Sequence, residues 1–128
     1  CMDAGRELDA LIAEKVMGWR RVLQPADYDG NHQGEPVLFP PSIDDKTYVY
    51  PPKGKVAFSY FVPHYSTSIA DAWVVVEMMP WPVGIHRYPD RTYETTVYLS
   101  EFHVVETAAT APLSICLAAL KAVEVAHV

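Results

Sequence analysis

The sequence predicts an α+β fold: an antiparallel β-sheet packed by about three helices, in a single domain covering residues 1–128. Three observations predict it. Apolar residues recur at three- and four-residue spacing near each end of the chain and once in the middle, the mark of helices with a buried face. Between the second and third of these stripes lie runs of β-branched and aromatic residues separated by turn residues, the mark of an antiparallel meander. The chain has 128 residues, 50% hydrophobic and 20% charged, which suits one domain with one core and excludes a disordered chain.

The first helix is expected over residues 3–17. Leu8, Leu11, Ile12 and Val16 form its stripe, and Gly18 suits a left-handed residue at its end. Trp19 reads as a core anchor. Arg20 and Arg21 follow, ordinarily a solvated end of a helix or strand and alternatively a clamp for an anion. Residues 24–63 are the irregular part, rich in proline: Pro25, Pro36, Pro40, Pro41, Pro51, Pro52 and Pro63. Short extended pieces fit between them at 37–39, 47–50 and 56–61, confined by proline to edges or first positions of strands. Tyr48, Tyr50, Tyr60 and Tyr65 make the region aromatic, which fits either an irregular packed lobe or a wall on which a planar ligand stacks.

Residues 65–80 are the stretch around which the rest is expected to organise. Ser68 with Asp71 approximates a capping box. Ile69, Ala72, Trp73, Val76 and Met79 form one face, Val74 and Val75 widen it, and Pro80 ends it, so the helix is expected to be mostly buried. The hydroxyls of Tyr65, Ser66 and Thr67 beside free helix amides could also bind an anion. Strands are expected at 83–88, 92–100 and 102–106, the first two joined by a turn at Pro89-Asp90-Arg91. Aromatics occur in both alternating sets of the middle strand, which predicts that both sheet faces are covered. Thr110 caps the last helix with Pro112 in its first turn, and Leu113, Cys116, Leu117, Leu120 and Val123 mark its face. Lys121 suits the negative end of that helix, and residues 124–128 are expected to fray.

Net charge is −6 with pI near 5.2, which lacks the basic footprint of a duplex nucleic-acid binder. No apolar run is long enough to cross a bilayer, and no signal-peptide pattern opens the chain, so no membrane association and a cytoplasmic location are expected. Cys1 stands ahead of Met2 and reads as foreign to the natural chain. Cys116 reads as a small buried hydrophobe, and no disulfide is expected. His32, His64, His86, His103 and His127 form no HExxH pattern, and there is no paired-cysteine site. His86 and His103 could face each other on neighbouring strands, a poor metal site without further ligands. GxSxG, GxGxxG and P-loop motifs are missing, so neither a catalytic residue nor a metal or cofactor site is assigned, and the chain is expected to be non-enzymatic.

The segments ELDALIAEKVMGW (7–19), YSTSIADAWVVVE (65–77) and TAPLSICLAALKAV (110–123) resemble the small phage and prophage proteins with a phage αβα-sandwich domain. They cover roughly a third of the chain in the family's order. The resemblance implies an α/β/α-type sandwich and a phage or prophage origin. The layout is also similar, more loosely, to the phage Thoeris anti-defence sponges. Those sequester cyclic ADP-ribose-type signals or cyclic oligonucleotides without cleaving them, and assemble as dimers or higher oligomers. Carried onto this chain, that likeness implies a homo-oligomer in the host cytoplasm that binds a signalling nucleotide. Arg20, Arg21, Arg87 and Arg91 would contact phosphate, Tyr65 and Trp81 would stack on bases, and Thr96 would supply a hydroxyl. Two features depart from the pattern. The proline-rich 24–63 segment lies outside it. Leu117 and Ala109 replace what are often a basic and an acidic residue, which argues against a phosphate contact from the last helix. Two other classes stand beside the sponge: a phage structural or accessory interaction protein with no small-molecule ligand, and an enzyme acting on a nucleotide or sugar phosphate.

Overall fold

The computed structural model describes residues 3–23, 36–42, 59 and 61–126. Three helices, α1 (Arg6–Lys15), α2 (Ile69–Met78) and α3 (Ala111–Ala126), accompany five strands: β1 (Arg20–Leu23), β2 (Pro36–Phe39), β3 (Val83–Arg87), β4 (Tyr93–Tyr98) and β5 (His103–Ala108). The result is an α+β sandwich, as the sequence predicts, with two small antiparallel sheets among the described residues where one was expected. One sheet pairs β1 with β2; the other has the order β3-β4-β5.

The hub is α3, not α2. It packs on β3, β4 and β5, and also on α1 and α2. That double duty explains its composition. Its most buried positions are Ser114, Ile115, Cys116, Ala118, Ala119 and Ala122, while Leu113, Leu117 and Leu120 are only partly buried. Small side chains let neighbours approach a helix from several sides, so the large-residue stripe legible in the sequence is the flank of the buried surface rather than its centre. Thr110 caps α3 through its hydroxyl, which accepts from the Leu113 amide at 3.3 Å. The helix continues to Ala126, beyond the expected fraying point, and Lys121 lies more than a turn before its end, 3.9 Å from Glu106 of β5.

In the larger sheet, alternation divides the side chains cleanly. Thr95 and Val97 of β4 are fully buried toward α3, where Thr95 Oγ1 lies 2.8 Å from Ser114 Oγ. The opposite set, Glu94, Thr96 and Tyr98, lies on the other face with His103 and Val105 of β5. Tyr98 is 48% and Val105 41% exposed there, so among the described residues this face is not covered as expected. The aromatic that suggested covering, Tyr98, instead lies over Gly84 and beside His103, at a ring-centroid distance of 6.1 Å.

The ends of α1 follow local chemistry. Gly18 has φ of 78°, and the Trp19 amide beyond it donates to the Ala13 carbonyl at 2.9 Å. Val37, Leu38 and Phe39 are fully buried, so the short extended piece expected at 37–39 is present, with Pro36 at its first position. The piece expected at 47–50 lies outside the described residues. Of that expected at 56–61, Ser59 and Phe61 belong to a turn closed by the Val62 amide on the Ser59 carbonyl at 3.2 Å.

Candidate functional site

Two arrangements dominate the chemistry of the described residues: a polar cluster between α1 and the segment leading into α2, and the outer face of α2.

The cluster centres on Asp9, whose side chain is inaccessible to solvent. One carboxylate oxygen accepts from the Ser66 amide at 2.8 Å and from the Ser66 hydroxyl at 2.6 Å. The other accepts from Arg6 at 2.9 Å. Arg6 also donates to the carbonyls of Ser59, Val62 (2.6 Å) and Pro63 (3.3 Å), and its Nη1 lies 3.2 Å from His64 Nδ1. The Ser66 hydroxyl further accepts from the Gly5 amide at 2.9 Å. Asp71 takes the His64 amide at 2.9 Å. Of the residues expected to offer an anion site at Tyr65–Thr67, Ser66 alone holds a carboxylate, and it is the chain's own Asp9, bound ahead of α2 rather than by its first amides. Ser66 and Asp9 are both sealed from water, so the pair has no route to a substrate and serves as a brace. Sequence reasoning missed it. The available signal was an Arg and an Asp three apart on one helix, but nothing in the sequence names Ser66 as their partner across 57 positions.

The α2 helix begins as expected: the Ser68 hydroxyl accepts from the Asp71 amide at 3.4 Å. Its burial corrects the expectation of a mostly buried helix. Ala72, Val75 and Met79 are buried against the core. Ile69 is 53%, Trp73 50%, Val74 50% and Met78 55% exposed. Among the described elements the helix packs chiefly on α3, and it is apolar nearly all round, so much of its apolar surface is left in water.

The residues expected to bind a nucleotide do not converge. Arg20 and Arg21 stand on β1, in a sheet that shares no pairing with β3-β4-β5. Arg21 makes a bidentate ion pair with Glu14, in which the second contact is 3.1 Å, and this hydrogen bonding holds the Glu14 carboxyl below the usual range. Tyr65 is only 2% exposed, and burial pushes its phenol up to about 12, so no ring face is offered to a ligand. Trp81 is partly buried against the core. Arg87 and Arg91 share the β3–β4 hairpin and are exposed. Arg87 follows Ile85 on the α3 side of the sheet, whereas Thr96 lies on the outer face. Arg91 takes φ of 69° in the expected turn, its amide donating to the Tyr88 carbonyl at 2.9 Å. Asp90 closes the turn through the Thr92 amide and hydroxyl, at 3.0 and 2.7 Å. His86 and His103 do not face each other: β4 lies between their strands, with Glu94 opposite His86 and Tyr98 opposite His103.

No helix among the described residues is long and apolar enough to cross a membrane. No curated protein matches the sequence. The crystal structure of a phage protein from Bacillus cereus ATCC 14579 is similar in fold, with a TM-score of 0.60 at 22% identity over 94% of this chain and 91% of that one. The family profile of the phage ABA sandwich domain matches residues 10–120. That span runs from α1 through both sheets and α2 to the middle of the α3 hub, and the chain belongs to the phage ABA sandwich domain family.

Proposed function

We propose that this domain is a phage-encoded interaction protein that works by binding a macromolecule through the outer face of α2, in the cytoplasm of the bacterial host. One observation carries the reading: Ile69, Trp73, Val74 and Met78, all large and apolar, are each at least half exposed on a single ten-residue helix. Scattered exposed hydrophobes need no explanation, but four large apolar side chains exposed on one short helix, a tryptophan among them, have the composition of a binding patch. Size-exclusion chromatography of the tagged protein in host lysate tests it. The wild type is expected well above its 14.3 kDa monomer mass, and a variant with Ile69→Ser and Met78→Ser at or near it. A wild type that runs as a monomer, both in lysate and when purified, overturns the reading.

A second reading is sequestration of a cyclic signalling nucleotide at the β3–β4 hairpin. It draws on the exposed Arg87 and Arg91 and on the strained φ of Arg91, since strain in a non-glycine residue clusters at functional sites. Asp90 and Glu94 on the same hairpin offset that positive charge, which is why this reading stands second. A thermal-shift screen against cyclic ADP-ribose isomers and cyclic oligonucleotides tests it, with roughly 2.7 kcal/mol of added stability expected at a hundred times the dissociation constant. Under this reading, Arg87→Ala or Arg91→Ala weakens binding with the melting temperature nearly unchanged. No shift across the panel removes it.

A further inference from the structure

We infer that the partner of the α2 face is a basic amphipathic helix, one arginine of which stacks on Trp73 and pairs with Glu77. The inference rests on the reading that this face is a binding surface and names the chemistry of its occupant.

Exposure on α2 follows the helix period. Ile69, Ala70, Trp73, Val74, Glu77 and Met78 are exposed, while Ala72 and Val75 are buried. Residues four apart on a helix stand one above the other. The six therefore form two neighbouring ridges, 69-73-77 and 70-74-78, with a shallow groove between them. Such a groove is the seat that a ridge of another helix fills. It runs for roughly 15 Å, so about three turns of a partner helix cover it.

Charge selects the partner. α2 holds Asp71 and Glu77 and neither Lys nor Arg. Asp71 is engaged by its own chain, its carboxylate accepting from the His64 amide at 2.9 Å. Among the described residues Glu77 has no hydrogen bond or ion pair. It follows Trp73 by four positions in the same ridge, so a carboxylate and an indole lie side by side within an apolar patch. That pair matches an arginine, whose planar guanidinium can stack on the indole and donate to the carboxylate at once. An apolar stripe on the same partner then covers Ile69, Val74 and Met78. The net charge of −6 draws a cationic helix in and repels nucleic acid and an anionic membrane surface. A second copy of this face would bring another Glu77 and no cation.

Fluorescence anisotropy with two labelled synthetic peptides at physiological salt tests this. Both are helices of about 18 residues with one leucine stripe; the polar face carries arginine in one and glutamate in the other. The arginine peptide is expected to bind the purified full chain at least about tenfold more tightly than the glutamate peptide. Glu77→Gln should weaken it about tenfold and Trp73→Ala about thirtyfold, with the circular-dichroism melting curve in place for both. Glu101→Gln removes the same charge from the turn after β4 and should leave the affinity unchanged. Equal binding of the two peptides overturns the inference. So do equal losses on Glu77→Gln and Glu101→Gln, which would mean attraction by net charge alone. A purified chain that sediments as a dimer, dissociated by Trp73→Ala, overturns it in favour of a second copy. If neither peptide binds, yet the wild type runs large in lysate and loses that size on Ile69→Ser with Met78→Ser, the cationic helix is removed while the binding-surface reading stands. If neither peptide binds and the wild type is a monomer in lysate, both fall.

Discussion

The α1 and α2 helices are each ten residues long, and each inverts the usual relation between polarity and burial. α1 places a carboxylate, Asp9, at a position with no solvent access. α2 places Trp73 and Met78 where half or more of each side chain is in water. Burial thus follows the partners a side chain meets, not its own polarity. Asp9 is buried because the Ser66 amide, the Ser66 hydroxyl and Arg6 satisfy it in full, and an ion inside a protein is tolerated on those terms. Among the described residues the outer side chains of α2 are half exposed, while its inner side chains pack on α3. The polar brace is satisfied within the chain, and the outer apolar face of α2 stays half exposed.

The comparison can be broken most sharply at Asp9. Asp9→Ala leaves the buried Ser66 amide without its acceptor and Arg6 without its carboxylate, and about 2–3 kcal/mol of stability should be lost in urea unfolding. Asp9→Asn, which keeps one acceptor, should lose less. A loss under about 1 kcal/mol for the alanine variant would mean that the brace does not hold the 59–66 segment to α1. Paired substitutions within α2 sharpen the contrast. Val75→Ala, on the inner face, should cost about 2 kcal/mol by opening a cavity, whereas Trp73→Ser, measured at micromolar concentration or below, should stay within about 0.5 kcal/mol. Equal losses would mean that the outer face is packed after all.

Alkaline pH probes the same interior by a different route. Burial pushes the Tyr65 phenol and the Cys116 thiol each up to about 12. Both groups are neutral when protonated, so the unfolded chain releases these protons first, near its ordinary values of 10.0 and 9.0. Stability is therefore fully present below pH 9 and falls between about pH 9 and 12, and Tyr65→Phe should flatten the upper part of that fall. Iodoacetamide at pH 8 should reach Cys116 only at the rate of unfolding. The hairpin should respond with the opposite sign. Arg91→Gly relieves a positive φ and should stabilise by up to about 1 kcal/mol. A clear destabilisation would show that the Arg91 side chain holds the turn.

Much of this fold can be read from the residues. The Ser68 cap of α2, the Thr110 cap of α3, the left-handed Gly18 and the 88–91 turn each arise from contacts a few residues apart, and local chemistry states them directly. The organising role of α3 was not legible, because most of its buried positions are alanine and serine, which carry little periodic signal beside the leucines that flank them. The brace was not legible because Asp9 and Ser66 meet only after the whole intervening chain has been placed. The candidate nucleotide residues were chosen by type, and type does not fix which sheet or which face a residue occupies: Arg87 and Thr96 fall on opposite sides of one sheet, and Tyr65 falls in the core.

The hydroxyl pair between Thr95 and Ser114 bears on how α3 selects its seat. A helix surfaced with alanine has many nearly equivalent ways to lie on a sheet, since sliding or rotating it exchanges one methyl group for another. The Ser114 hydroxyl, within 3.0 Å of the Ala111 carbonyl and 2.8 Å of Thr95, breaks that degeneracy. Any shifted packing would leave the Thr95 hydroxyl buried without its mate, at about 1–3 kcal/mol. That gap separates one arrangement from its near neighbours, as a single buried polar residue does for the register of a coiled coil. Replacing both by valine and alanine would then leave a chain that folds as tightly but into more than one arrangement, visible as doubled amide resonances for β4 and α3.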